Sequence, residues 1–76
     1  MKYIKIEHVN NDQIMLIQNE LNDLYYVVLE RQDNYSFSPD YVSKPYKSRS
    51  GAVKAFNKYT SKHKVNHYEQ IIIHSI

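Results

Sequence analysis

Polar and apolar residues alternate over residues 2 to 9. Ile4 and Ile6 fall on one side of the chain and Tyr3, Lys5 and Glu7 on the other, and this period of two predicts a half-buried strand. Asn10-Asn11-Asp12 supplies residue types that tolerate the left-handed backbone of a tight turn, and Ile14 to Gln18 resumes as a second strand, so the pair reads as a hairpin. The strongest strand signal is Leu24 to Gln32, where Tyr25-Tyr26-Val27-Val28-Leu29 packs aromatic and β-branched residues together. Asp33-Asn34 marks a turn, and Tyr35 to Ser38 reads as a short fourth strand that Pro39 and Pro45 confine to an edge or a loop.

The period then changes. Ala52, Val53, Phe56 and Tyr59 recur at three- and four-residue spacing as the inward face of a helix, with Ser48 or Ser50 placed to cap its first turn and an end expected between Lys62 and Asn66. Tyr68 to Ile76, with Ile71-Ile72-Ile73 apolar on both sides, reads as a closing interior strand. The expected fold class is α+β: one domain over residues 1–76, a small, mostly antiparallel β-sheet in the order β-β-β-(β)-α-β, with one amphipathic helix packed on one face.

Strand parity carries a further expectation. Ile4, Leu16, Val27, Leu29 and Ile72 would line one sheet face, and Met15, Ile17, Tyr26, Val28, Ile71 and Ile73 the other, while a single helix covers only one of them. Large contiguous apolar patches are uncommon on soluble monomers, so self-association as a twofold homodimer is expected.

Composition narrows the class. With 76 residues and no cysteine, the chain has room for one small core and excludes both a disulfide scaffold and a thiolate zinc site, which suits a reducing cytoplasm. No apolar run approaches the ~20 residues of a membrane span, so no membrane partner is expected. The only glycine is Gly51, which excludes a glycine-rich phosphate loop; there is no nucleophile elbow and no carboxylate pair at an interpretable spacing, so the chain reads as a binding protein without an enzymatic site or a cofactor.

Charge is sorted by position. Residues 1 to 40 carry three Lys or Arg against seven Asp or Glu, a net of −4, whereas residues 41 to 68 hold Lys44, Lys47, Arg49, Lys54, Lys58, Lys62 and Lys64 with no acid, a net of +7. On helical geometry, Lys54 and Lys58 lie opposite Phe56 and Lys62 lies at the flank, so they form an outward ridge that Lys44, Lys47 and Arg49 extend toward the helix N-terminus. Lysines four apart repel each other by ~0.2–0.5 kcal/mol per pair, so helix stability alone does not favour the stripe. Contact with a nucleic-acid backbone would explain it; so would plain solvation of a lysine-rich surface, or an acidic protein partner.

Eight tyrosines add candidates for stacking on unpaired bases or for burial at an interface, with Tyr3, Tyr25, Tyr26 and Tyr68 marked by strand position. Filling the core margin is the simpler role for any one of them. His63 and His67 are four apart, with His8 and His74 on neighbouring expected strands, but His63 shares the side of Phe56. A packed or hydrogen-bonded histidine is the expectation there, and no metal site is assigned.

The stretch Leu24 to Tyr59, a strong strand, a polar segment and Tyr46-Lys47-Ser48 leading into an alanine-containing basic helix, resembles in pattern the small hybrid-binding modules at the N-terminus of some ribonucleases H. Those modules carry a Trp and a glycine-rich turn that this chain lacks, so no residue or activity transfers. In size and composition the chain is similar to accessory proteins of phages and mobile elements, including inhibitors of host or CRISPR nucleases. That likeness implies an alternative: the acidic hairpins, with Glu20, Asp23, Glu30 and Asp33, pressing on a basic nucleic-acid-handling protein in an anti-CRISPR-like manner. The expected partner is thus nucleic acid or a protein that handles it.

Overall fold

A computed structural model describes the backbone of residues 1–75 and the side chains of residues 1–64. Four strands, β1 (Lys2–Val9), β2 (Asp12–Gln18), β3 (Tyr25–Glu30) and β4 (Tyr41–Val42), form an antiparallel sheet in the order β1-β2-β3-β4, and one helix, α1 (Arg49–Ser75), packs against it. The α+β class with a single packed helix is therefore the observed one.

The first hairpin closes as its sequence requires. Val9 pairs with Asp12 across a two-residue turn in which Asn10 and Asn11 take φ of 55° and 70°, the left-handed conformation at both central positions that matches the twist of the flanking strands. Between β2 and β3 the chain is held by backbone and side chains together: Asn19 N donates to Leu24 O at 2.9 Å and Asp23 N to Asn19 O at 2.8 Å, while Asn19 Oδ1 accepts from Leu21 N at 2.9 Å and Asn22 Oδ1 from Leu24 N at 3.0 Å.

The helix-covered face of the sheet holds the main core. Leu16 pairs with Val27 and Ile14 with Leu29, and these four, with Val9, Ala52 and Phe56, are buried, while Ile4, Tyr25, Tyr46, Val53, Ala55 and Tyr59 pack around them. The opposite face carries Met15, Ile17 and Val28, buried with Tyr26 packed on them, so the parity expected for β2 and β3 holds. Much of this second face is closed by the chain itself. What remains is an open groove of about 390 Å³ edged by Tyr3, Phe37, Pro39 and Val42.

Parity fails in β1, where the register slips between Tyr3 and Lys5. Ile4 still packs on the helix-side core, but the bulge puts two residues against one, so Ile6 pairs with Met15 on the second face and stands half exposed. Lys5 and Glu7 turn to the helix side instead, and the Lys5 ammonium lies 5.5 Å from the centroid of the Phe56 ring. A strict alternation through Tyr3, Ile4, Lys5 and Ile6 is thereby corrected.

Two expected strands are also corrected. Tyr35 to Ser38 is a loop, because Asn34, Ser36 and Asp40 satisfy its backbone locally: Asn34 Nδ2 donates to Ser38 O at 2.9 Å, Ser36 N to Asn34 Oδ1 at 2.8 Å and Arg31 N to Asp40 Oδ2 at 2.7 Å. The fourth strand is Tyr41–Val42, the aromatic and β-branched pair between the two prolines, followed by a bridge from Tyr46 to Tyr25. The closing strand over residues 68–76 is replaced through Ser75 by α1, which runs past the end expected near Asn66. No Gly or Pro follows Gly51, and a short apolar run such as Ile71-Ile72-Ile73 fits a helix as well as a strand, so nothing in the sequence stops the helix. Residue 76 and the placement of Ile71, Ile72 and Ile73 on sheet faces lie outside the described residues. Among the described residues no helix is long and apolar enough to cross a membrane.

Candidate nucleic-acid interface

The start of α1 fixes the basic ridge. Ser48 is the cap: its Oγ accepts from Gly51 N at 3.1 Å and its carbonyl from Ala52 N at 3.1 Å, satisfying two amides of the first turn. Burial of Ala52, Phe56 and Thr60 then sets the rotation of the helix and leaves Lys54, Asn57, Lys58, Ser61 and Lys62 in solvent. Lys44, Lys47 and Arg49 are exposed just before and at its first residue. None of these six bases forms an ion pair with a carboxylate among the described residues.

Lys64 differs. Its Nζ donates to Glu7 Oε1 at 2.8 Å, so this lysine ties α1 to the edge strand and is the one member of the expected set that the acidic half neutralises. One residue earlier, His63 Nε2 meets Asp12 Oδ2 at 3.1 Å, with both side chains about four-fifths buried, which is the hydrogen-bonded histidine expected from its position on the Phe56 side. Among the described residues no three His, Cys, Asp or Glu converge on a metal-sized site.

The aromatic partners of the lysines are ones the strand-based reading passed over. Tyr41 of β4 and Tyr59 of α1 stack with ring centroids 5.1 Å apart and planes 9° from parallel, and Tyr59 continues to the His63 ring at 6.4 Å and 18°. Beside this ladder runs a groove of about 200 Å³ between β4 and α1, floored by Val27 and Ala55, walled by Tyr41, Tyr46 and Tyr59, and flanked by Lys58 and Lys62. Residues 55, 58, 59 and 62 follow the i, i+3, i+4, i+7 row of a helix, so that flank of α1 is legible in sequence; its pairing with Tyr41 depends on where β4 forms.

Electrostatics at the groove are set by burial and neighbours. The Tyr59 phenol is held above its usual 10.0, chiefly by burial and next by the Tyr41 ring beside it, with the Arg31 charge opposing. Asp40 lies below its usual 3.8 because Arg31 N and then Asn34 Nδ2 donate to its carboxylate. Lys44 leans over the Tyr46 ring, 5.6 Å from its centroid.

The remaining candidates are scattered. Tyr3 and Tyr26 stand on the second face, away from the ridge; Tyr25 is half-buried on the helix side, bridged to Tyr46; the Tyr68 side chain, like those of His67 and His74, lies outside the described residues. Of the acidic set, Glu20 sits 3.6 Å from the Met1 amine, Asp23 takes a left-handed φ of 59°, Glu30 borders the second-face groove and Asp33 is exposed. They do not converge on one surface patch with the lysines.

No protein-family model, no curated protein and no solved structure matches this chain.

Proposed function

We propose that the chain is a non-enzymatic binding protein whose basic surface, Lys44, Lys47, Arg49, Lys54, Lys58 and Lys62, meets the phosphate backbone of nucleic acid with little sequence preference. The observation that carries this reading is the row of six exposed bases without a carboxylate partner among the described residues, although seven acids lie in the first 40 residues. Acids placed to neutralise the ridge would favour plain solvation. Here the acids that reach α1 contact Lys64 and His63 and leave the outer row without a carboxylate partner among the described residues. Backbone contact needs point charges with reach rather than a shaped pocket, and lysines on an outward helix face supply them. A cytoplasmic location fits such a partner.

The test is fluorescence anisotropy with generic DNA at low ionic strength. The wild-type chain is expected to bind with an affinity that falls steeply with salt, each neutralised phosphate adding roughly 0.7–0.9 to the log–log slope. Lys54→Glu with Lys58→Glu should abolish binding, whereas Lys64→Ala, which breaks only the Glu7 pair, should leave it near wild type. Absence of binding at low salt overturns the reading.

A second reading is favoured by another observation: Phe37 and Leu21 are fully exposed, close in sequence to Asp33 and to Glu20 and Asp23. Exposed large apolar side chains with acids nearby in sequence suit a basic protein partner, in the manner of an inhibitor encoded by a mobile element, and a twin subunit is a further occupant of the groove beside Phe37. Phe37→Ser with Asp33→Lys would disable that role and spare DNA binding. Analytical ultracentrifugation at micromolar concentration decides the dimer.

A further inference from the structure

We propose that the groove between β4 and α1 accepts an unpaired base, so that the chain prefers single-stranded over duplex nucleic acid. The inference rests on the backbone-binding reading above and names the form of nucleic acid that the same surface selects.

Size is the first argument. At about 200 Å³ the groove is smaller than the ~300–1,000 Å³ sites that enclose a free drug-sized ligand, but it has room for one ring system that is part of a longer strand. Its walls are the second. The Tyr41–Tyr59 pair is parallel to within 9° and Tyr41 is 42% exposed, so the stack reaches solvent at Tyr41 rather than ending in packed core. Two tyrosines already stacked also lose little freedom when a base extends the pile.

Charge is the third argument. Lys58 and Lys62 line the same groove, one helical turn apart on its α1 wall, which offers two ammonium groups along one side to the phosphates that flank a bound base. A duplex keeps its bases stacked internally and would use the lysines without the tyrosines. The Ser43 hydroxyl in the groove wall is already engaged, donating to Lys44 O at 2.8 Å and accepting from Val27 N at 2.9 Å, which leaves rotatable tyrosine hydroxyls and lysine ammoniums, groups that suit any base, as the polar atoms beside the rings. Stacking therefore dominates, and every base has a π-face, which agrees with low sequence preference.

The experiment compares a fluorescently labelled oligothymidylate of about a dozen nucleotides with a duplex of equal length, for the wild type, Tyr41→Ala, Tyr41→Phe and the Lys58→Glu, Lys62→Glu pair. Each variant is first shown folded by circular dichroism; Tyr41 lies on the two-residue edge strand outside the main core, so its replacement leaves the fold intact. Expected are at least tenfold tighter binding of the single strand, a loss of about tenfold for Tyr41→Ala on the single strand alone, retention by Tyr41→Phe, and loss of both ligands in the charge-reversed pair. Equal affinity for the two forms, or a single-strand affinity indifferent to Tyr41→Ala, overturns this inference and leaves backbone binding standing. Absence of binding to either form overturns both.

Discussion

Asp12 and His63, 51 residues apart, meet through Oδ2 and Nε2 at 3.1 Å and fasten α1 to the turn of the first hairpin. The other carboxylate oxygen of Asp12 accepts from Gln32 N at 3.1 Å, so one largely buried side chain joins hairpin, helix and the start of the loop after β3. Removing Asp12 leaves two partners unsatisfied, whereas removing His63 leaves one. Asp12→Ala is expected to cost about 1–3 kcal/mol and His63→Ala about half as much, read from urea midpoints by circular dichroism. Equal small effects, within ~0.3 kcal/mol of zero, would show that the contact is incidental.

The loop from Arg31 to Asp40 has an acid limit. Asp40 is lowered by the Arg31 amide first and the Asn34 side chain second, so its ionised form belongs to the folded loop. A carboxyl with a depressed folded value contributes stability above the unfolded value of 3.8 and loses it as pH falls through the folded one. The Arg31 amide resonance should therefore titrate with a midpoint below 3.8, and Asp40→Asn should remove that titration. A midpoint at or above the ordinary value would mean that the carboxylate does not hold the loop.

The Tyr41–Tyr59 stack has an alkaline limit by the opposite sign. Burial, then the neighbouring Tyr41, raises the Tyr59 phenol above 10.0, so the neutral form is favoured in the folded chain. Its contribution is complete below 10.0 and is lost as pH rises through the raised value. Phenolate absorbance of the wild type minus that of Tyr59→Phe should show one group ionising above 10.0, and the urea midpoint should fall faster at high pH in the wild type. A difference spectrum centred at the ordinary value would dissolve the claim that the ring is shielded.

How much of this was legible follows from the range over which each signal acts. The Asn10-Asn11 turn, the parity of β2 and β3, the Ser48 cap and the inward Ala52–Phe56 face depend on neighbours a few residues apart, and local chemistry dictates them. The slip between Tyr3 and Lys5 was not legible, because alternation continues undisturbed through a bulge and only the partner strand reveals the extra residue. Nor was the helical course of residues 68–75, where an apolar triplet suits either period. The lysine ridge could be read from spacing, but the Tyr41–Tyr59 stack could not, since it joins residues from a two-residue strand and a helix whose contact is tertiary.

The core places a last constraint on every variant above. A chain of 76 residues at roughly 0.05–0.15 kcal/mol per residue holds only about 4–11 kcal/mol in total. Phe56 is 1% exposed and is the largest fully buried side chain among the described residues, wedged between the Val27 and Leu29 face of the sheet and the helix, with Lys5 over its ring. Truncation to Ala forfeits its transfer energy and leaves a cavity, about 3–5 kcal/mol, a large share of that margin. Phe56→Ala is therefore expected to be largely unfolded by circular dichroism at physiological temperature, whereas Phe56→Leu, which keeps most of the volume, should cost about 1–2 kcal/mol and stay folded. Lys5→Met should be nearly neutral, because the cation–π contact at a partly solvated site is worth only ~0.5–1 kcal/mol and the methionine stem still covers the ring. A folded Phe56→Ala with an unchanged midpoint would mean that the helix is held by the Asp12–His63 and Glu7–Lys64 ties rather than by the apolar seam.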